Sequence, residues 1–163
     1  GVRRAELAAL EDKDIDLVGR QIRVFGKRRK ERFVPIGEKL VKEIEGYMKI
    51  KQDLLQGEEC FGIFLVRKKK SGEWVTLGAG GIYNIVRARM SEVSTLKKHS
   101  PHVLRHTFAT TMLNNGADIR TIQTLLGHSS LEATQVYTHT TFEEMKKAYE
   151  KAHPRSMKVK GEN

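Results

Sequence analysis

A single cysteine, Cys60, occurs in 163 residues. One thiol excludes a disulfide framework and a thiolate metal cluster, and it fits a reducing interior, the cytoplasm. No stretch is apolar enough to span a bilayer, and no signal-peptide pattern opens the chain. Internal repeats and low-complexity segments are missing too. Charged residues make up 31% of the chain and apolar ones 39%, a balance that excludes disorder and describes a soluble globular protein. At this length one domain with a proper core is expected.

Three familiar motifs are begun and not finished. Asp12, Asp14 and Asp16 alternate like the start of a calcium loop, but its glycine and closing bidentate glutamate do not follow. They read as turn and cap residues. The glycines in 78–81 are not followed by Gly-Lys-Ser/Thr, so they form a joint and not a phosphate loop. His102 and His106 have the spacing of a His-Glu-x-x-His zinc helix, with His99 nearby. Val103 stands where that motif needs its glutamate and no cysteine is near, so no metal is expected.

Positive charge is what the chain has in excess. Lysines and arginines number 30 against 20 acidic residues, giving a net charge of +10 and a pI near 9.8. That excess predicts a polyanionic partner, most simply nucleic acid, with a membrane surface as the other candidate. Residues 5–10 are helix-prone, with Leu7 and Leu10 inward. Residues 21–25 and 31–36 alternate, with Ile22, Val24, Phe33 and Val34 as anchors, and read as a β-hairpin. Its connection carries Lys27, Arg28, Arg29, Lys30 and Arg32, which reads as a finger that reaches DNA. Residues 37–55 show helical spacing at Leu40, Val41, Ile44, Tyr47, Met48, Leu54 and Leu55. Short strands at 60–66 and 74–77 flank a second basic turn at 67–70. A helix over 82–93 carries Ile82, Ile85, Val86 and Met90 inward, and 94–99 is a polar basic loop.

Residues 100–137 hold most of the chemistry. Ser100 is a good N-cap and Pro101 suits the first helical position. The helix they open has Leu104, Phe108 and either Thr111 or Met112 on its core side and ends at Asn115-Gly116. His102 and Arg105 project from one face, and His102 lies in the first turn, where unpaired N–H groups favour an anion. An imidazole, a guanidinium and a helix N-terminus at one point make a phosphate site. Asp118 caps a helix carrying Ile119, Ile122, Leu125 and Leu126, stopped by Gly127. Ser129 and Glu132 have capping-box spacing for a helix to about Tyr137, and Thr140 with Glu143 repeats it. The last helix presents Phe142, Met145, Tyr149 and Ala152 on one side and ends at Pro154. A tyrosine pKa near 10 leaves roughly one part in a thousand of Tyr137 ionised at neutral pH. Cations such as Arg105, His102 and His128 would lower that pKa and offset the repulsion between a phosphodiester and its attacker.

Residues 98–140 resemble the tyrosine recombinases, or phage integrases, and among them the bacterial Xer type. The resemblance rests on Ser-Pro-His-Val-Leu-Arg-His-Thr-Phe-Ala-Thr (100–110), Asn-Gly-Ala-Asp-Ile-Arg (115–120), Leu-Leu-Gly-His-Ser (125–129) and Thr-Gln-Val-Tyr-Thr-His (134–139). Upstream, Gly-Val-Arg-Arg-Ala-Glu-Leu (1–7) is similar to the family's Gly-Leu-Arg-x-Ser-Glu-Leu segment. Gly-Lys-x-x-Lys-Glu-Arg (26–32) is similar to the hairpin bearing its catalytic lysine. The resemblance implies a mainly α fold with a small antiparallel β-sheet (α+β), the tyrosine recombinase catalytic-domain fold, over residues 1–153. Residues 154–163 would be a mobile basic tail. A separate N-terminal DNA-clamping domain, which the family carries, is not in this sequence, so a fragment of a longer protein is expected.

By the same resemblance the catalytic groups fall on Arg3, Lys27, His102, Arg105, His128 and Tyr137, with Glu6 as a supporting acid. Tyr137 would be the nucleophile, forming a 3′-phosphotyrosyl bond and releasing a 5′-hydroxyl. Arg3 and Arg105 would clamp the non-bridging oxygens. Lys27 would be the general acid, with Lys30 the alternative; His102 would assist proton transfer at the tyrosine, and His128 would donate to the phosphate. No cofactor is implied, since the protein's own cations supply the charge stabilisation that phosphoryl transfer needs. The implied partners are double-stranded DNA and further copies of the chain. These would form a tetramer on DNA, the last helix docking on a neighbour through Phe142, Met145 and Tyr149. Two other readings stand beside this one. Residues 118–137 resemble a helix-turn-helix module, which explains the charge but not Arg3, Lys27, His102 and Arg105. A topoisomerase would use the same tyrosine chemistry.

Overall fold

The computed structural model describes residues 1–26, 30–93, 99–127 and 139–153, with the backbone alone at 139–141. Helix α1 (Arg4–Ala8) leads through a 3-10 turn (Asp12–Asp14) into β1 (Ile15–Asp16), β2 (Gln21–Phe25) and β3 (Glu31–Pro35). Helix α2 (Glu38–Leu55) follows, then the strands β4 (Leu65–Arg67) and β5 (Trp74–Thr76). The rest is helical: α3 (Ala79–Val93), α4 (Pro101–Asn114), α5 (Ile119–Leu126) and α6 (His139–Ala152). The first three strands form an antiparallel sheet in the order β1-β2-β3, and β4 pairs with β5 in a second small sheet.

Two apolar clusters result. On the sheet side Leu10, Val24, Val34 and Ile63 are buried, with Leu7, Ile22, Tyr47 and Met48 packed around them. On the helical side Met112, Ala117, Ile122, Leu125, Leu126, Met145, Tyr149 and Ala152 are buried together. Each fully buried aliphatic side chain of this size contributes roughly 1.5–3 kcal/mol. Phe33 on β3 meets Phe142 on α6 nearly at right angles with centroids 6.2 Å apart, an apolar contact between the sheet and the last helix.

The caps read from the sequence for α4 and α5 are formed. Ser100 Oγ accepts from the Val103 amide at 3.4 Å, with Pro101 in the first turn. Asp118 accepts from the Thr121 amide at 3.0 Å, and Gly116 takes a φ of 81° at the end of α4. The three aspartates act as caps and ion-pair partners. Asp14 closes the 3-10 turn on the Glu11 amide and pairs with Arg23, Asp16 accepts from the Gly19 amide, and Asp12 holds the buried Lys51 ammonium at 2.6 Å.

Several expectations are corrected. Helix α3 starts at Ala79, so the glycine joint lies largely inside it. Leu40, Leu54, Ile85, Leu104 and Ile119 sit at the exposed margins of their helices and not in the core. The strand expected over 60–66 shortens to Leu65–Arg67, and α6 is already helical at Thr140. Arg32 does not belong to an exposed basic finger. Side chains alternate across a strand, so Arg32 shares the inward face of β3 with Val34, and its side chain is 4% exposed. Within this one chain the α6 stripe expected to dock on a neighbour packs on its own helices, Met145 and Tyr149 in the helical core with Phe142 against it, which does not bear on docking between copies. Asn115 Nδ2 fastens the far end of α6 by donating to the Ala152 carbonyl at 2.6 Å. The region expected to hold a helix from Ser129 to Tyr137 lies outside the described residues, as does 154–163.

Candidate active site

A helix leaves its last carbonyls without partners inside the helix, and its C-terminal end carries partial negative charge. At the end of α5, three consecutive carbonyls each accept from a different arginine, brought from three distant parts of the chain. Arg32 Nε donates to Leu125 at 2.9 Å, Arg105 Nη2 to Leu126 at 2.7 Å and Arg3 Nη2 to Gly127 at 2.7 Å. Gly127 has a φ of 67°, and a Cβ there would stand 2.9 Å from Arg32 Cζ, so only glycine allows the helix end this close to the guanidinium. Gly1 is similarly constrained, since a Cβ would lie 2.6 Å from the Phe108 ring and 2.8 Å from Leu126. The Gly1 carbonyl accepts from Arg105 Nη1.

Glu6 joins two of the arginines. Its carboxylate receives both forks of Arg32, Nη1 at 3.0 Å and Nη2 at 2.7 Å. It also receives the backbone amide of Arg3 and Arg3 Nη1, each at 2.8 Å. Burial by itself would raise the pKa of Glu6, but the hydrogen bonds from Arg32 and Arg3 outweigh it and hold the carboxyl at about 2. Arg105 is pushed down to about 10 by burial and by the positive charges of Arg3 and Arg32. The cluster thus sets three guanidinium groups against one carboxylate, which bonds two of them, and the carbonyls that hold the arginines are neutral. The cluster keeps an excess of positive charge, the electrostatic condition for taking up an anion.

Of the expected catalytic residues, Arg3 and Arg105 are brought together on adjacent carbonyls of one helix end. Arg105, on α4, reaches the C-terminus of α5, where it donates to the Leu126 carbonyl. His102 is exposed in the first turn of α4, one turn before Arg105. Lys27, His128 and Tyr137 lie outside the described residues. Gly127 immediately precedes His128. Gly26, which precedes Lys27, borders the cluster, since a Cβ there would lie 3.6 Å from Glu6 Oε1 and 3.7 Å from Arg32 Nη1. Arg32 was assigned to the wrong place from the sequence. The signal that finds it is its parity with Val34 along β3.

Residues 1–144 match the phage integrase family. The chain belongs to that family. It is 42% identical over 160 residues to tyrosine recombinase XerC of Chlorobaculum parvum, a match that covers 94% of this chain and 46% of that protein. The crystal structure of XerA recombinase superposes with a TM-score of 0.66 at 36% identity, covering 94% of this chain and 54% of XerA. XerH site-specific recombinase, solved bound to its difH substrate before cleavage, gives a TM-score of 0.63 at 26% identity over 88% of this chain and 41% of XerH. The chain spans about half the length of the curated relatives it matches. Its mainly α architecture with small antiparallel sheets is that of a tyrosine recombinase catalytic domain. No helix among the described residues is long and apolar enough to cross a membrane.

Proposed function

We propose that this protein is a site-specific DNA recombinase that cuts and rejoins strands of double-stranded DNA through a 3′-phosphotyrosyl intermediate. The observation that carries the reading is the pair of guanidinium groups, Arg3 and Arg105, held on neighbouring carbonyls at the end of α5 in a cluster with surplus positive charge. Two planar donors so placed suit the non-bridging oxygens of one phosphodiester and the charge that grows on them in the transition state. In this reading the Tyr137 oxygen attacks phosphorus, its proton passing toward His102. The bond to the 5′-oxygen breaks, and that oxygen takes a proton from Lys27. His128 donates to the phosphate. The phosphotyrosyl bond keeps the energy of the broken one, so the 5′-hydroxyl of another strand can reverse the step without a nucleotide.

The proposal extends to a tetramer on DNA in the cytoplasm. There α6 would leave its own groove and fill that of a neighbour, re-forming between chains the contacts it makes within one. The test is a pool of nicked duplexes with randomised cores, incubated with the protein and run on a denaturing gel. Wild-type protein is expected to form a covalent adduct that Tyr137→Phe abolishes, and Arg105→Ala should slow its formation roughly a hundredfold or more, the scale for losing a preorganised donor. No adduct with the wild type would leave only the helix-turn-helix reading. Relaxation of supercoiled DNA without exchange between two sites would favour the topoisomerase reading.

A further inference from the structure

We propose that Arg32 is a positioning residue for this chemistry: held by Leu125 and Glu6, it fixes the direction in which Arg3 points. The claim rests on the recombinase reading for its consequence and on geometry for its cause. Arg32 is 4% exposed, so it is not placed to bind DNA itself. Each of its three nitrogens is committed, Nε to the Leu125 carbonyl and the two Nη atoms to the two oxygens of Glu6. A planar fork engaged at all three points has no rotational play, and the carboxylate it grips inherits that rigidity.

Glu6 passes the constraint on. Its Oε1 accepts from Arg32 Nη1 and Arg3 Nη1 together, and its Oε2 from Arg32 Nη2 and the Arg3 amide. The Arg3 side chain is 41% exposed, so its outer part faces solvent and would swing among rotamers if left to itself. Its second anchor, the Gly127 carbonyl, belongs to the same helix end that Arg32 grips at Leu125. Both holds on Arg3 therefore trace back to one buried guanidinium. A core ion pair of purely structural value would lack this connection to a half-exposed arginine.

The test uses Arg32→Lys, which keeps the charge and loses the fork. Thermal melting establishes that it is folded at the assay temperature. Adduct formation on the nicked duplexes should fall about 10- to 100-fold, the scale for displacing a group beside the reacting atoms, while DNA affinity stays within about twofold. In an Arg3→Ala background the same change should cost less than about threefold, because the group it aims is gone. A folded Arg32→Lys variant that cleaves like wild type, or one whose loss multiplies in full with that of Arg3→Ala, overturns the proposal. A second arm needs neither a variant nor cleavage. NMR of the wild-type protein should show Arg3 guanidinium resonances with hindered rotation; a freely rotating Arg3 overturns the claim. If the wild type forms no adduct, the recombinase reading fails by itself, and the NMR arm still decides what Arg32 does.

Discussion

Replacing Glu6 by glutamine removes the carboxylate that two arginines share, and its cost should depend on pH in a calculable way. In the folded protein Glu6 titrates at about 2, against 4.5 for an unperturbed glutamate. A folded pKa below the unfolded one means stability that is fully present above about pH 4.5 and disappears as the pH falls through 2. The difference corresponds to about 3 kcal/mol at neutral pH. Roughly 2 of those 3 kcal/mol are gone by pH 3. Glutamine has no such titration, and at pH 7 it leaves Arg32 buried opposite a neutral group, a change on the order of 3–5 kcal/mol. For a chain of this length each kcal/mol moves the melting temperature about 2–4 °C. The assay is urea unfolding of wild type and Glu6→Gln side by side at pH 7, 5, 4 and 3. Other acids titrate in both proteins, so the difference between the two curves isolates Glu6. The gap should be widest at pH 7 and narrow by roughly 2 kcal/mol at pH 3. Parallel curves with a constant gap would show that the Glu6 charge is not what the arginines hold.

Three further substitutions have expected outcomes. Gly127→Ala should destabilise by about 1–2 kcal/mol through its left-handed backbone, and by more if Arg32 must move. Gly46→Ala lies mid-helix on the exposed face of α2 with nothing near its Cβ, so it should stabilise by about 0.5–1 kcal/mol; urea midpoints for the pair that moved in the same direction would contradict this. Asn115→Ala removes the donor that holds the Ala152 carbonyl and should speed amide hydrogen exchange in the last turn of α6 by about tenfold, the equivalent of one modest hydrogen bond. Unchanged exchange there would mean that the apolar stripe alone fastens the helix.

The helices near the site were legible in the sequence because their boundaries rest on local chemistry. Ser100 with Pro101, Asp118 and Gly127 each act on backbone within four residues, so no tertiary information is needed to place them. The apolar margins were less legible. Leu104, Ile85 and Ile119 fit a helical stripe by spacing, but which edge of a stripe is covered depends on neighbours the sequence does not name. Arg32 was misread for a related reason. Five basic residues lie close together, and the charge run hides the parity with Val34 that turns one of them inward, where the pairing of β3 with β2 sets Arg32 opposite the fully buried Val24. The convergence of Arg3 and Arg105 came from family resemblance. Spacing could not have supplied it, since the two residues meet through carbonyls of a third segment.

That third segment explains how such a cluster is held without losing its charge. Three guanidinium groups this close repel one another, and that repulsion adds to the larger effect of burial in bringing Arg105 down to about 10. Pairing each with its own carboxylate would relieve the repulsion and leave nothing for an anion to do. Carbonyls at a helix C-terminus offer directed acceptors and only about half an elementary charge in total, so they orient the arginines without neutralising them. Glu6 cancels one charge and makes the arrangement tolerable to the fold. The charge that remains is a standing cost to stability that an anion bound in the proposed reaction would relieve. Hence stability and anion affinity should trade against each other here. A substitution that adds a second carboxylate beside Arg3 would raise the melting temperature and weaken DNA cleavage together, whereas a purely structural ion-pair network would gain the first without losing the second.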